Sequence, residues 1–346
     1  MNKLNRVLVI DDSAYIRKII RQILNKSPFL EVVGTAANGL EALELVESLQ
    51  PDVITCDLIM PEMDGVTFVA EQLKRKPIPI VIVSIASESG ELALKALEAG
   101  AVSFIQKPTA LATERVMEMS EELIEAVKEA ASVSLYSLER QLSPVPITVP
   151  GALPKTSTVE LIVIGISTGG PQGLKSVIPQ LPADFPVPIA IVLHMPVGYT
   201  ELYAQKLNEI SNLRVSEARD GDALLPGTVF IAPAGRHLVI RRTLEGSAIA
   251  HLDAKPFDTP HRPAVDVLFE SAALTFGEHV LGIVMTGMGS DGKEGSAWIK
   301  SKGGIIITEA EDTCIVYGMP RSVDESGLSD MQIPLHKIAN KIMEVI

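Results

Sequence analysis

The chain has 346 residues, 47% hydrophobic and 21% charged, which is too apolar for a disordered protein and long enough for two domains. A formal net charge of −13 argues against nucleic acid or an anionic membrane as the main partner. Met1–Arg6 lead straight into a strand-like Val7–Ile10 without a leader core, no apolar run could cross a bilayer, and Cys56 and Cys314 have no metal spacing. The expectation is a cytoplasmic protein, not inserted in a membrane, with buried free thiols.

Residues 1 to about 108 alternate strand and helix patterns, which implies a doubly wound α/β sheet of parallel strands. Val7–Ile10, Val53–Thr55, Ile80–Val83 and Val102–Ile105 are short apolar runs. Between them, Ile16–Leu24, Leu40–Leu49, Val66–Leu73 and Leu92–Leu97 carry helical periodicity. The polar residues at the strand ends are Asp11, Asp12, Asp57, Ser84 and Lys107. Carboxyl ends of parallel strands share one edge, so three carboxylates, a hydroxyl and an ammonium converge there. Clustered carboxylates repel unless a cation lies among them, and an all-oxygen donor set at a shallow edge suits Mg²⁺. A carboxylate beside that ion and a lysine can attack a phosphoryl donor. Helix capping would explain Asp12-Ser13 alone, but not Asp57 together with Lys107.

Asp11-Asp12-Ser13, Asp57-Leu58-Ile59-Met60-Pro61-Glu62-Met63-Asp64-Gly65, Ser84 and Lys107-Pro108 resemble the receiver domain of bacterial response regulators, here over 1–125. The resemblance implies that Asp57 accepts a phosphoryl group. It further implies that Asp12, Asp57 and the Ile59 carbonyl hold Mg²⁺ with help from Asp11, and that Lys107 contacts the phosphoryl oxygens. Ser84 and Phe104 match the switch positions, Phe104 without the hydroxyl some receivers carry.

Beyond the receiver pattern, Val116, Met119, Leu123, Val127 and Ala130 keep helical spacing, as an extension of the receiver's last helix or as a separate partner-binding helix. Ser143-Pro144-Val145-Pro146, Pro150-Gly151 and Pro154 then break regular structure. The expected linker over 126–158 is thus helical and then proline-rich, a semi-rigid spacer.

In the remaining 159–346, Leu161–Ile164 form a buried-strand run that ends in Gly165-Ile166-Ser167-Thr168-Gly169-Gly170, with Pro171 and a helical face following. Gly-x-Ser-x-Gly on a strand–turn–helix corner is the nucleophile-elbow string. A tight packing turn, or a phosphate-binding turn of a nucleotide site, would also use glycines. Ser167, however, stands where the dinucleotide fingerprint needs its middle glycine. Ile189–Leu193 end on His194, and Val280–Met285 run into Thr286-Gly287-Met288-Gly289-Ser290-Asp291-Gly292. If these strands are parallel, Ser167, His194 and Asp291 gather on one edge as nucleophile, base and orienting acid. The backbone N–H groups of Thr168 and Met288 are candidates for an oxyanion hole. Arg262, in His261-Arg262-Pro263, is expected to shape the pocket, with His261 as an alternative base. His237, His251, His279 and His336 lie in polar sequence and are expected to be structural or superficial.

Gly165–Gly170, His194-Met195-Pro196, His261-Arg262-Pro263, Thr286–Gly292 and Tyr317-Gly318-Met319-Pro320 resemble the catalytic domain of the chemotaxis protein-glutamate methylesterases. The resemblance implies a Rossmann-like catalytic domain without a cofactor, with Ser167, His194 and Asp291 as the triad and Met288 as a backbone donor. It implies methyl-accepting chemoreceptors as substrates, glutamine deamidation beside ester hydrolysis, and a chemotaxis histidine kinase as phosphodonor. A response regulator acting by binding alone, and a nucleotide-dependent oxidoreductase, are the alternatives from other classes.

Overall fold

The computed structural model describes residues 4–107, 113–133, 158–256 and 258–346, and the side chains of 86–89 and 113–118 fall outside that description. The chain divides into two compact units, Met1–Ser143 and Pro144–Ile346. The expected proline-rich spacer over 143–154 and Pro108 lie outside the described residues.

In the first unit, β1 (Asn5–Ile10), α1 (Ala14–Leu24), β2 (Leu30–Ala36), α2 (Gly39–Leu49), β3 (Val53–Cys56), α3 (Gly65–Arg75), β4 (Ile80–Ile85), α4 (Ala86–Glu98), β5 (Ser103–Lys107) and α5 (Thr113–Ala131) alternate along the chain. The strands form one parallel sheet in the order β2-β1-β3-β4-β5. Covered on both faces by helices, Val7–Val9 and Ile80–Val83 are buried without alternation, as parallel strands require. The edge strand β2 was not legible, because Glu31 is exposed and Val33, Gly34 and Thr35 are only half-buried. Leu123, Val127 and Ala130 bury the inner face of α5, which packs on α1 and the sheet and runs unbroken through residue 125.

Local capping sets where these helices begin. The side chains of Ser13, Asn38 and Asp64 accept the Ile16, Glu41 and Thr67 N–H groups. Glu41 reaches back to the Ala37 N–H at 2.7 Å and so reinforces the start of α2. At the head of α3, Gly65 donates to the Leu58 carbonyl at 2.9 Å, and a Cβ there would collide with the Asp57 carbonyl.

The second unit contains, in chain order, β6 (Leu161–Ile166), α6 (Gly170–Val177), β7 (Ile189–Leu193), α7 (Thr200–Glu209), β8 (Arg214–Glu217), β9 (Thr228–Ile231), β10 (His237–Arg242) and β11 (Ala248–Asp253). It continues with α8 (Val265–Phe276), β12 (Val280–Val284), α9 (Lys293–Ser301), β13 (Ile305–Glu309), α10 (Met319–Asp324), β14 (Met331–Ile333) and α11 (Leu335–Val345). Seven of these strands form a parallel sheet in the order β14-β13-β12-β6-β7-β9-β8, and β10 and β11 form an antiparallel hairpin. Because β6 lies between β7 and β12, the winding direction reverses beside it, and the crevice at its carboxyl end is the usual place for a ligand. Leu268, Phe269 and Ala272 of α8 form one core with Val163, Val284 and the inner face of the hairpin, Leu238 and Ile240. The Ser271 hydroxyl accepts the Ile240 N–H at 3.0 Å and ties the hairpin to α8. Among the described residues no helix is long and apolar enough to cross a membrane.

Gly65→Ala forces α3 away from the Asp57 carbonyl, and overpacking of this kind costs about 1–3 kcal/mol. The expected result is a lower unfolding midpoint for the first unit in the full chain, with the second unit's transition unmoved; calorimetry checks both.

Candidate active site

In the first unit the strand ends gather the expected groups. The carboxylate oxygens of Asp11, Asp12 and Asp57 lie within 4.8 Å of one another. The Lys107 ammonium, at the end of β5, stands 2.6 Å from Asp11 Oδ2 and 2.7 Å from Asp57 Oδ2. Asp11, Asp57 and Lys107 are buried, whereas Asp12 faces solvent. Burial raises the Asp11 carboxyl above its usual range, and Lys107 only partly offsets that. Asp57 is steadied by the Leu58 N–H, which donates to its Oδ1 at 2.7 Å. Ser84 is buried in β4, Phe104 in β5, and Ile59, two residues after Asp57, is exposed. Hard carboxylate oxygens this close, with one exposed for solvent access, fit Mg²⁺.

In the second unit the strand–turn–helix corner that carries Ser167 is built on β6. Ser167 follows its last residue, and its N–H donates to the Thr286 carbonyl beyond β12 at 3.0 Å. On the other side, the His194 N–H donates to the Ile166 carbonyl at 3.1 Å, which places the end of β7 beside Ser167. The chain then turns through Gly169, at φ +79, into α6. A side chain at that φ is strained, and a Cβ there would press on Ile315.

His194 Nε2 lies 2.9 Å from Asp291 Oδ2. Its Nδ1 is buried and has no hydrogen-bond partner, so Nδ1 is the nitrogen left to take a proton. This reverses the chymotrypsin-type use of the two ring nitrogens. No hydrogen bond joins Ser167 to His194 in this resting geometry, a common state for a catalytic pair without substrate. His261 stacks on the His194 ring with centroids 4.2 Å apart. Although the residue is exposed overall, desolvation in the stack, then the charge of His194, pulls its pKa down to about 4. His194, not His261, is the histidine bonded to Asp291.

The Asp291 carboxylate is held from a second direction. Its Oδ2 accepts the Val265 N–H at 2.8 Å and its Oδ1 the Asp266 N–H at 2.9 Å. These are the first donors of α8, a helix with no side-chain cap of its own. Asp266 returns the arrangement: its Oδ1 accepts the Gly292 and Gly295 N–H groups at 2.9 and 2.7 Å, at the head of the equally uncapped α9. Two helix N-termini thus exchange carboxylates. Burial raises Asp291, but the bonds from His194, Val265 and Asp266 outweigh it and bring the net shift below the usual range. Burial and the nearby Asp291 charge leave Asp266 raised in spite of its own two bonds.

Comparison with known proteins gives one answer for each half. Residues 162–342 match the CheB methylesterase family and residues 7–119 the response regulator receiver domain. A protein-glutamate methylesterase/protein-glutamine glutaminase of Myxococcus xanthus is 47% identical, over 95% of this chain and 94% of its own length. The namesake from Halalkalibacterium halodurans is 44% identical, over 98% and 97%. The crystal structure of the Thermotoga maritima CheB methylesterase catalytic domain superposes with a TM-score of 0.53 at 41% identity, covering 54% of this chain and 99% of that one. The chain belongs to the CheB methylesterase family. It is an enzyme of the protein-glutamate methylesterase type, with a response regulator receiver domain preceding the catalytic one.

Within this methylesterase architecture, Thr168 is buried and its carbonyl accepts the Thr286 hydroxyl at 3.0 Å. Met288 is half-buried, and among the described residues no hydrogen bond engages its N–H. The Arg262 carbonyl accepts the Gly235 N–H at 2.9 Å, which fixes the backbone of the His261-Arg262-Pro263 segment. His237 departs from the expectation of polar surroundings, since it is completely buried. Its Nδ1 accepts the Ala264 N–H at 3.1 Å and its Nε2 faces the Pro256 carbonyl at 3.0 Å, a structural tie for the same segment. Sequence reasoning missed the role of Asp266, whose carboxylate caps α9.

Asp266→Ala leaves the N–H groups of the buried Gly292 and Gly295 at the head of α9 unpaired, a loss of about 1–3 kcal/mol. Because Asp291 begins the same turn, the esterase kcat is expected to fall about tenfold, while Asp266→Asn, which keeps the acceptor oxygen, recovers most of it. Thermal unfolding and steady-state kinetics on the two variants check this.

Proposed function

We propose that this chain hydrolyses glutamate γ-methyl esters on chemoreceptors, and deamidates glutamines there, in the cytoplasm and in the service of chemotactic adaptation. Ser167, His194 and Asp291 carry the reaction, and phosphorylation of Asp57 by a chemotaxis histidine kinase activates it. The observation behind the catalytic reading is the bond between His194 and Asp291 beside Ser167, at the carboxyl ends of β6 and β7. The M. xanthus and H. halodurans relatives, named for both activities, support the substrate class.

With Nε2 engaged by Asp291, His194 receives the Ser167 hydroxyl proton on Nδ1 while Ser167 Oγ bonds to the ester carbonyl carbon. The N–H groups of Thr168 and Met288 face the oxyanion that forms, and Arg262 shapes the pocket wall. His194 then delivers its proton to the leaving methoxide as the C–O bond breaks, and methanol departs. Water, deprotonated by His194, cleaves the acyl-serine to a glutamate carboxylate and restores Ser167. With a glutamine side chain the same steps release ammonia. Asp291 stays ionised throughout and stabilises the imidazolium.

In the receiver, Asp11, Asp12, Asp57 and the Ile59 carbonyl would hold Mg²⁺, which offsets negative charge around a phosphoryl group when bound. Asp57 supplies the accepting oxygen and Lys107 pairs with the transferred phosphoryl. Ser84 and Phe104 then read out the modified carboxylate.

Ser167→Ala is expected to reduce methanol release from methylated receptor membranes by roughly 10³-fold or more with the fold intact. Turnover near that of the parent would exclude Ser167 as the nucleophile. Asp57→Asn should abolish labelling by a radioactive phosphodonor, leave basal methanol release unchanged and erase its stimulation by the phosphodonor. Retained stable label on that variant would place the acceptor elsewhere.

A further inference from the structure

The last residue of β13, Glu309, is completely buried, and the mechanism above does not use it. Its Oε2 accepts the Thr286 N–H at 3.0 Å, whereas Oε1 is buried with no partner. Thr286 is the residue on which the nucleophile's backbone hangs. Its carbonyl accepts the Ser167 N–H at 3.0 Å, and its hydroxyl donates to the Thr168 carbonyl at 3.0 Å while accepting the Val316 N–H at 3.0 Å. Glu309 therefore reaches Ser167 and Thr168 through a single residue.

Among the described residues no ion pair reaches Glu309. The turn after β13 brings Asp312, the exposed Glu311 and the buried Cys314, whose thiol points at the Glu309 carbonyl at 3.7 Å. From α10, Asp324 bonds to the neighbouring Thr308. The adjoining residues of β12 and β14 carry no ionisable group, and α11 contributes the Leu335 N–H, which donates to Thr313. The charge that acts on it is that of Asp312, while Arg321 of α10 is bonded to Glu325. Burial first, then the charge of Asp312, pushes Glu309 up to about 7, against the opposing pull of the Thr286 N–H.

We propose that protonated Glu309 is a positioning residue for ester hydrolysis, holding the Thr286 peptide and through it Ser167 and Thr168, and that loss of its proton disables the site. This rests on Ser167 being the nucleophile. Ionisation strengthens the Thr286 N–H bond itself, but an anion with a bare, buried Oε1 relieves its desolvation only by moving toward water, and that movement carries the Thr286 peptide out of place. The folded-state pKa is raised above the unfolded value, so the stability that Glu309 contributes is full below about pH 4.5 and declines as pH rises through about 7. The loss falls on kcat rather than KM, because Glu309 acts on the nucleophile's backbone.

The test uses the full chain, unmodified and as Glu309→Gln, with methanol release from methylated receptor membranes measured across pH. In the parent, kcat is expected to fall about tenfold per pH unit above neutrality, with KM steady. Glu309→Gln, a neutral isostere that still accepts the Thr286 N–H, keeps the plateau kcat and loses that alkaline fall. In parallel, the parent carrying ¹³C only in its glutamate carboxyls should show one resonance that titrates near neutrality, absent from the variant. An alkaline fall that persists in Glu309→Gln overturns the proposal, as does a parent in which every glutamate carboxyl titrates in the ordinary range; the second result needs no variant to fold. A chain that releases no methanol at any pH overturns the esterase reading instead, and Glu309's role with it.

Discussion

The catalytic half depends on one carboxylate placed where three hydrogen-bond donors meet. Asp291 accepts the first two N–H groups of α8 and the Nε2 of His194. The helix head favours the ionised form, and the ionised form fixes the tautomer of the imidazole. From that follows Nδ1 as the free ring nitrogen, on a ring that His261 stacks against. The same contact serves the fold, because α8 has no side-chain cap and is the helix on which the hairpin and the central strands pack. Moving Asp291 would therefore disturb the His194 ring and the core packing together.

The two units solve the same electrostatic problem, several acids at one sheet edge, by different means. In the receiver, Asp11 and Asp57 are drawn together around the Lys107 ammonium, and Asp12 stands beside them in solvent. That leaves a charge-rich cluster suited to a divalent cation and a phosphoryl group. In the catalytic unit, Asp291 and Asp266 are each bonded by backbone N–H groups at the head of the other's helix, with no lysine or arginine. Backbone dipoles neutralise without adding a mobile cation, so the ester site keeps a rigid, largely dry anion.

Much of this was legible in the sequence for a simple reason. A strand buried on both faces reads as an unbroken apolar run, and the first polar residue after it lies at the sheet's carboxyl edge. That logic located Asp11, Asp57, Lys107, Ser167 and His194, and the glycine turn after β12 located Asp291. It passed over β2, β8 and β14, edge strands with exposed residues, the hairpin, whose strands carry Arg241, Arg242 and His251, and also β9 and β13, although those two are largely buried. Asp266 reads as an ordinary first-turn acid, and only the approach of α9 gives it a second helix to cap. His237 lies among polar residues in sequence, and its burial comes with its contacts to the Pro256 carbonyl and the Ala264 N–H. Which ring nitrogen of His194 meets Asp291 has no trace in the sequence, because it depends on the angle at which β7 delivers the ring.

That last point also offers the most direct measurement. In the full-length chain labelled with ¹⁵N histidine, the His194 resonances, assigned by their loss in His194→Gln, report which nitrogen carries the proton at neutral pH. The account requires a proton on Nε2, bonded to Asp291, and a bare Nδ1, with the low-field Nε2–H signal lost in Asp291→Asn. A neutral His194 protonated on Nδ1 and bare on Nε2 would contradict it.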